Sequence, residues 1–451
     1  MFAILCLVLS IVFIVVATAK WKMHPFLALL LASFLFGIIT GLPLDQLVSA
    51  VNEGFGGTLK SIGIVIICGT IIGTFLEKTG GAQSLADGAL KITGKKNVPL
   101  AMGIVGYIVS MPVFCDSGFV ILSPLNKALS KTAKISLAGG AIALSLGLYA
   151  THTMVPPTPG PVAAAGILGA DLGYVIGIGA LVSVVALLAS WLFAVLVASK
   201  TYISPEDDML VDTVPEKTAP AGKRPGMLKS LLPIIFPLIL IVISSVCKLT
   251  VELEKGADPG MILKVIYFLG QPAVALLLGV GMAMLLPEKL NSEMISGNGW
   301  IGHAILASAS ILVITGAGGA FGQVLRASGI AEQLGNSMKD MNLGIWLPFI
   351  IAAAIKTAQG SSTVAIITTA GLMAPMLEPM GLTGNMSKAL VVVAIGAGSM
   401  VVSHANDSYF WVVTQFSNMS LKQGFKLQSL GTLIEGTVAA FTVWIISLFT
   451  V

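Results

Sequence analysis

Charge is what this chain of 451 residues has least of. Asp, Glu, Lys and Arg make up 10% of it, against about 25% in soluble domains. It has four histidines and four cysteines. Cys6, Cys68, Cys115 and Cys247 lie in or beside apolar segments, and no CxxC or Cys/His spacing joins them. Neither a disulfide framework nor a metal site follows. HExxH, GxSxG and the phosphate-binding Gly-rich loop are also missing, so no enzyme constellation and no cofactor is expected. The net charge of +4 is spread among loops. Positive-inside loop bias accounts for it, and no nucleic-acid footprint is present.

What is there is apolar: 56% hydrophobic residues, a mean hydropathy of +0.95 and 50 glycines. This composition predicts an all-α polytopic protein of the lipid bilayer. Roughly ten segments are long enough to cross about 30 Å of hydrocarbon, and the glycines suit helices that pack closely or break. Met1–Ala19 is apolar with no basic residue before it, so it reads as a first span rather than a cleaved signal peptide. Pro25–Gly41 is a second span, Leu42–Lys60 a polar-interrupted connection at the interface, and Ser61–Leu76 a third span. Met261–Leu286 reads as one later span and Ile301–Gly322 as another.

Two polar stretches interrupt apolar runs, Met111–Leu125 and Lys356–Thr369. An unpaired polar group in lipid costs several kcal/mol, so such residues belong against protein or a water-filled cavity. The first lies in a segment, 98–126, with Lys91, Lys95 and Lys96 before it and Lys127, Lys131 and Lys134 after it. Basic flanks on both sides predict a re-entrant hairpin with both ends in the cytoplasm; the alternative is one long kinked span. A second hairpin is expected over 343–376. It lacks the basic flanks and opens the other way.

Two breaks accompany the hairpins. Between Thr151 and Pro161 stand four prolines in eleven residues, which no helix can continue through, so 135–169 is predicted as a broken helix. A second break is expected within 388–416. Landmarks recur at nearly constant offset. Gly73–Leu85 overlays Gly322–Leu334 at 249, Asp116-Ser117 overlays Ser361-Ser362 at 245, and Thr151-His152 overlays Ser403-His404 at 252. The chain thus divides into a first half, 1–199, and a second half, 230–451. A Pro-rich cytoplasmic linker, 200–229, joins them, with five basic and five acidic residues. Two such halves with opposed hairpins make an inverted-topology repeat, a common plan of secondary transporters with substrate near the midplane.

The candidate substrate-binding residues are Ser117, Thr151, His152, Thr153 and Thr158 in the first half. In the second they are Gln359, Ser361, Ser362, Thr363, His404 and Asn406. Hydroxyls and amides both donate and accept, which suits a polyhydroxylated ligand; the bland alternative is that Ser and Thr bond their own helices. Helix N-termini at Ser361-Ser362 and after the proline break offer N–H groups to a carboxylate. Asp116 and Asp407 are the candidate proton-coupling acids, or else permanent helix caps. Lys356, a cation inside an apolar segment, is a candidate anion partner, with pairing to an acidic side chain or snorkelling to an interface as alternatives. With no nucleotide-binding domain, an ion gradient is left as the driving force.

These motifs also carry a resemblance. HPFLALLLASFLFG (His24–Gly37), DSGFVILSPL (Asp116–Leu125), THTMVPPTPGP (Thr151–Pro161), GAGGAFGQVL (Gly316–Leu325), AQGSSTVAII (Ala358–Ile367) and NDSYFW (Asn406–Trp411) resemble the gluconate:proton symporter family nearly end to end. The resemblance implies proton-coupled uptake of a small hydroxylated monocarboxylate through the bacterial inner membrane. It also implies a homodimer with an elevator-type scaffold and transport domain. It maps Asp116 to a hairpin-tip acid and Asp407 to the acid of the second break. The tip departs from the family's Glu-Val type by reading Cys115-Asp116-Ser117, which points to a smaller substrate such as glycerate. D-serine:proton symport and sodium-coupled carriage of organic anions are the alternatives that stay open.

Overall fold

The computed structural model describes residues 2–93, 97–111, 113–205, 224–253, 260–329, 343–404 and 407–450. Among the described residues all regular structure is helical, with no strand. The first nine helices are α1 (Phe2–Ala19), α2 (Pro25–Ile39), α3 (Leu44–Lys78), α4 (Gly81–Thr93), α5 (Val98–Val109), α6 (Cys115–Ala133), α7 (Leu137–Met154), α8 (Pro159–Leu168) and α9 (Leu172–Leu196). Next come α10 (Met227–Leu253), α11 (Met261–Leu269), α12 (Pro272–Met284), α13 (Ser292–Ile295), α14 (Trp300–Ala327) and α15 (Trp346–Gln359). The chain closes with α16 (Ser362–Met373), α17 (Asn385–Met400), α18 (Ser408–Phe416), α19 (Leu421–Gly424) and α20 (Leu430–Thr450). Four segments among the described residues are single helices long and apolar enough to cross a membrane, and six are if each bent pair is one span.

Two helices sit at the centre. Every residue of α7 is buried, as is nearly all of α17. Both are apolar or small on every face, the pattern of a helix surrounded by others. Around α7 stand α5, α6 and α9; around α17 stand α15, α16, α20 and α9, and the two central helices touch. The α5–α7 contact depends on Gly147, where a Cβ would collide with the Gly103 carbonyl.

A separate layer is built from α2, α3, α12 and α14, with α3 lying along α14. Here the chain departs from the expected interfacial connection over Leu42–Lys60. That stretch is helical and runs on into the following segment with a 44° bend between Leu44–Lys60 and Gly63–Lys78. The cause is close packing: a Cβ on Gly54 would overlap the Gly319 carbonyl and Ala320 of α14, so the bare backbones approach as small residues allow. The span expected over Met261–Leu286 is also two helices, α11 and α12, bent by 66°. Pro272 opens α12, in keeping with proline's place at a helix start. The arm expected to end at Asn126 instead continues as α6 to Ala133 and stops at Lys134, whose φ is 52°.

Four helix interruptions converge on the central pair. They lie at residues 110–114 (α5 to α6), 155–158 (α7 to α8), 360–361 (α15 to α16) and 401–407 (α17 to α18). Gly360 turns the third with φ 91°, in a region open to glycine. Ser361 then caps α16, its hydroxyl accepting from Val364 N. The linker residues 206–223 lie outside the described residues.

Candidate functional site: a buried ion pair among four helix breaks

Lys356 lies one turn before the end of α15, completely buried. Its Nζ donates to Asp407 Oδ2 at 2.6 Å and to the Gly360 carbonyl of its own turn. Asp407 is the N-cap of α18: its Oδ1 accepts from Tyr409 N at 3.0 Å. Ser403 Oγ donates to Asp407 Oδ2 at 2.5 Å. One carboxylate therefore caps a helix, holds a hydroxyl and balances a buried cation. A charge removed from water needs that degree of pairing.

The break that carries Asp407 is fastened from α20 and from the π-helical turn before it, Phe425–Ser429. Thr432 Oγ1 accepts from Ser403 N at 3.0 Å, and Ser429 Oγ donates to the Ser403 carbonyl at 2.5 Å. Val402 sits at φ 53°, a left-handed conformation costing a β-branched residue roughly 1–2 kcal/mol. Those bonds hold it there. His404 Nε2 lies 2.9 Å from the Thr357 carbonyl, tying the same break to α15.

Two tyrosines tie α7 to α16 and α18. Tyr149 of α7 places its OH 2.6 Å from Ser362 Oγ, and its ring lies 5.7 Å from Lys356 Nζ. Tyr409 of α18 donates to the Ser145 carbonyl at 2.9 Å, and the two rings are 5.1 Å apart. Asp116 stands half-buried in the first turn of α6 and is within electrostatic reach of both Asp407 and Lys356. His152 feels the same two charges; it is 6% exposed, and its Nδ1 has no hydrogen-bond partner.

The structure thus gathers Asp116, His152, Ser362, Lys356, His404 and Asp407 around one point. Ser117 is half-buried one residue beyond Asp116, and Ser361 and Thr363 are half-buried at the start of α16. Three threonine hydroxyls bond backbone: Thr151 to the Tyr107 carbonyl at 3.0 Å, Thr153 to Tyr149 at 3.1 Å and Thr158 to Val155 at 2.6 Å. Gln359 ends α15, and Asn406 lies outside the described residues. Sequence reasoning missed Tyr149, Tyr409 and Glu435. A glutamate alone in the apolar run from Leu430 was signal enough for the last. Among the described residues no group of three or more His, Cys, Asp or Glu side chains could hold a metal.

The profile of the GntP family permeases matches residues 2–449. The chain belongs to the GntP permease family. It is 31% identical to a gluconate permease of Pseudomonas aeruginosa, over 97% of this chain and 96% of that one. It is 33% identical to the D-serine transporter DsdX of Escherichia coli strain K12, over 98% and 97%. The YdaH transporter of Alcanivorax borkumensis shares the fold with a TM-score of 0.67 at 13% identity, covering 94% of this chain and 98% of that one. This GntP permease is a membrane transporter and not an enzyme.

Proposed function

We propose that this GntP permease imports a small hydroxylated monocarboxylate, gluconate or a shorter acid such as glycerate, together with protons. The observation that carries the reading is the buried Lys356–Asp407 pair between helix breaks. In the empty carrier Asp407 satisfies Lys356. A proton on Asp407 removes that counter-charge and leaves Lys356 in need of another. A substrate carboxylate takes the vacated role. Proton and anion then favour each other's binding, reciprocally, and the buried charge stays balanced throughout. Asp116, half-buried beside the pair, is the acid through which protons reach it. The substrate hydroxyls exchange bonds with Tyr149, Ser362 and the α16 N-terminus, groups that donate and accept.

The relatives named for gluconate and for D-serine support one shared ligand chemistry, a carboxylate on a short hydroxyl-bearing chain. Competition decides between them: excess gluconate abolishes uptake of labelled substrate under the sugar-acid reading, and excess D-serine does so under the other. Spanning helices rather than a closed barrel favour the bacterial inner membrane.

The two helix pairs α5–α6 and α15–α16 are read as opposed re-entrant hairpins of the inverted repeat, with halves 1–199 and 230–451. The body that carries them moves against the α2–α3–α14 layer, elevator fashion, in a homodimer. A polar cleft of about 220 Å³, bordered by Glu53, Gly54, Gly166, Gln323, Arg326 and Ala374, marks where α3 and α14 meet α8 and α16. Crosslinking cysteine pairs across that cleft tests the motion: locked transport supports it, and unaffected transport contradicts it.

A further inference from the structure

Glu435 is the acid that the Lys356–Asp407 scheme leaves unused. It sits within the apolar segment Leu421–Thr450, which is long enough to cross a membrane, and it is 0% exposed. Its polar neighbour is Ser190 of α9. Ser190 is near enough to interact with the Glu435 carboxyl, but among the described residues no group stands within full hydrogen-bonding distance of either carboxylate oxygen. An acid buried this deeply and bonded this weakly costs stability, and an ionisable residue inside a membrane segment points to function. The titratable groups on the elements packed against α20 are Tyr174, Lys388, Tyr149, His152, Lys356 and Lys426, with Tyr409 on α18 behind the π-helical turn. Of these, Tyr409 has electrostatic contact with Glu435. Among the described residues no cation pairs with it, so no fixed counter-charge holds it ionised.

Its position relative to the ion pair is specific. One helical turn earlier on α20 stands Thr432, and residues so spaced are neighbours about 5–6 Å apart. Thr432 holds the Ser403 backbone at 3.0 Å, and Ser403 Oγ holds Asp407 at 2.5 Å. Glu435 is therefore linked by one turn and two hydrogen bonds to the break that pairs with Lys356.

We infer that Glu435 is a second proton site of this permease, occupied and emptied once per substrate carried. The inference rests on the proton-coupled reading above. A proton from water on the outer side forms the O–H bond of the Glu435 carboxyl. The neutral acid crosses with the loaded carrier, and the O–H bond breaks to water on the inner side. No electrons move, and the carboxylate is regenerated.

The test measures protons and substrate together. Proteoliposomes loaded with a fluorescent pH dye take up radiolabelled gluconate, or glycerate or D-serine where counterflow shows gluconate is not carried. In Glu435→Gln the proton-to-substrate ratio falls to about half of wild type, as losing one of two sites requires. Gradient-independent counterflow persists, because Glu435 lies away from the substrate groups. An unchanged ratio in Glu435→Gln overturns the inference. Where that variant is not recovered folded, Glu435→Asp keeps a proton site at a displaced depth. It supports the inference by shifting the pH profile of uptake and overturns it by leaving the profile unmoved. A wild-type protein that moves no protons with substrate brings down the coupled reading itself, and this inference with it.

Discussion

Lys356 Nζ and Asp407 Oδ2 lie 2.6 Å apart with side-chain exposures of 0% and 4%, although 51 residues of chain separate them. The pair joins the end of one interrupted helix to the start of another. Removing one partner of such a pair costs about 3–5 kcal/mol, because the other charge stays buried without compensation.

The single variants Asp407→Asn and Lys356→Met are therefore each expected to lower thermal stability strongly in detergent. The double variant should recover most of that loss without recovering transport. Tm values of the four proteins form a double-mutant cycle. Additive losses would mean that the two groups do not act as a pair.

Asp116 is half-buried, and its carboxylate accepts a weak bond from the Cys115 thiol at 3.7 Å. Asp116→Asn is accordingly expected to leave Tm within about 1 kcal/mol equivalent of wild type, while slowing pH-dependent uptake by at least about tenfold. Unchanged proton-coupled uptake in a folded variant would remove Asp116 from the proton route.

The sign of the pH dependence follows from the competition at Lys356. Under the proposed exchange, a higher external proton concentration favours handing Lys356 from Asp407 to the substrate carboxylate and raises uptake; a lower one restores the ion pair and lowers it. Initial rates across an external pH series check this, and the rise should be much smaller in Asp407→Asn. Uptake that rises with pH contradicts the competition.

Val402 holds a positive φ of 53° under two bonds to Ser403. Val402→Gly is expected to stabilise the folded protein by roughly 1 kcal/mol through relief of that conformation. Thr432→Val, which removes one of the fastening hydroxyls, is expected to destabilise by about 1–2 kcal/mol. Thermal unfolding of both variants measures the balance.

Much of the site could be read in the chain, because its signals are local. Pro156 and Pro157 follow the end of α7 and Pro159 opens α8, a Gly-Ser-Ser turn stops α15, and a lysine inside an apolar run stands out. The pairing could not be read, since only tertiary packing brings Asp407 to Lys356. Tyr149 and Tyr409 were invisible for a related reason: a tyrosine in an apolar helix fits lipid, interface or core alike until its OH finds Ser362 or Ser145. The polar-looking start of α3 misled for the opposite reason. Asn52, Glu53 and three glycines suggest a connection, yet one of those glycines, Gly54, is what lets the backbone lie against Gly319. Local propensity there yields to close packing.

The central claim is that a proton gradient loads an anion onto Lys356. Uptake of radiolabelled gluconate into proteoliposomes, under an imposed inward proton gradient and without sodium, tests it most directly. The account predicts accumulation above equilibrium that collapses with an uncoupler and is absent in Asp407→Asn. Accumulation that needs sodium, or that survives the uncoupler, would contradict it.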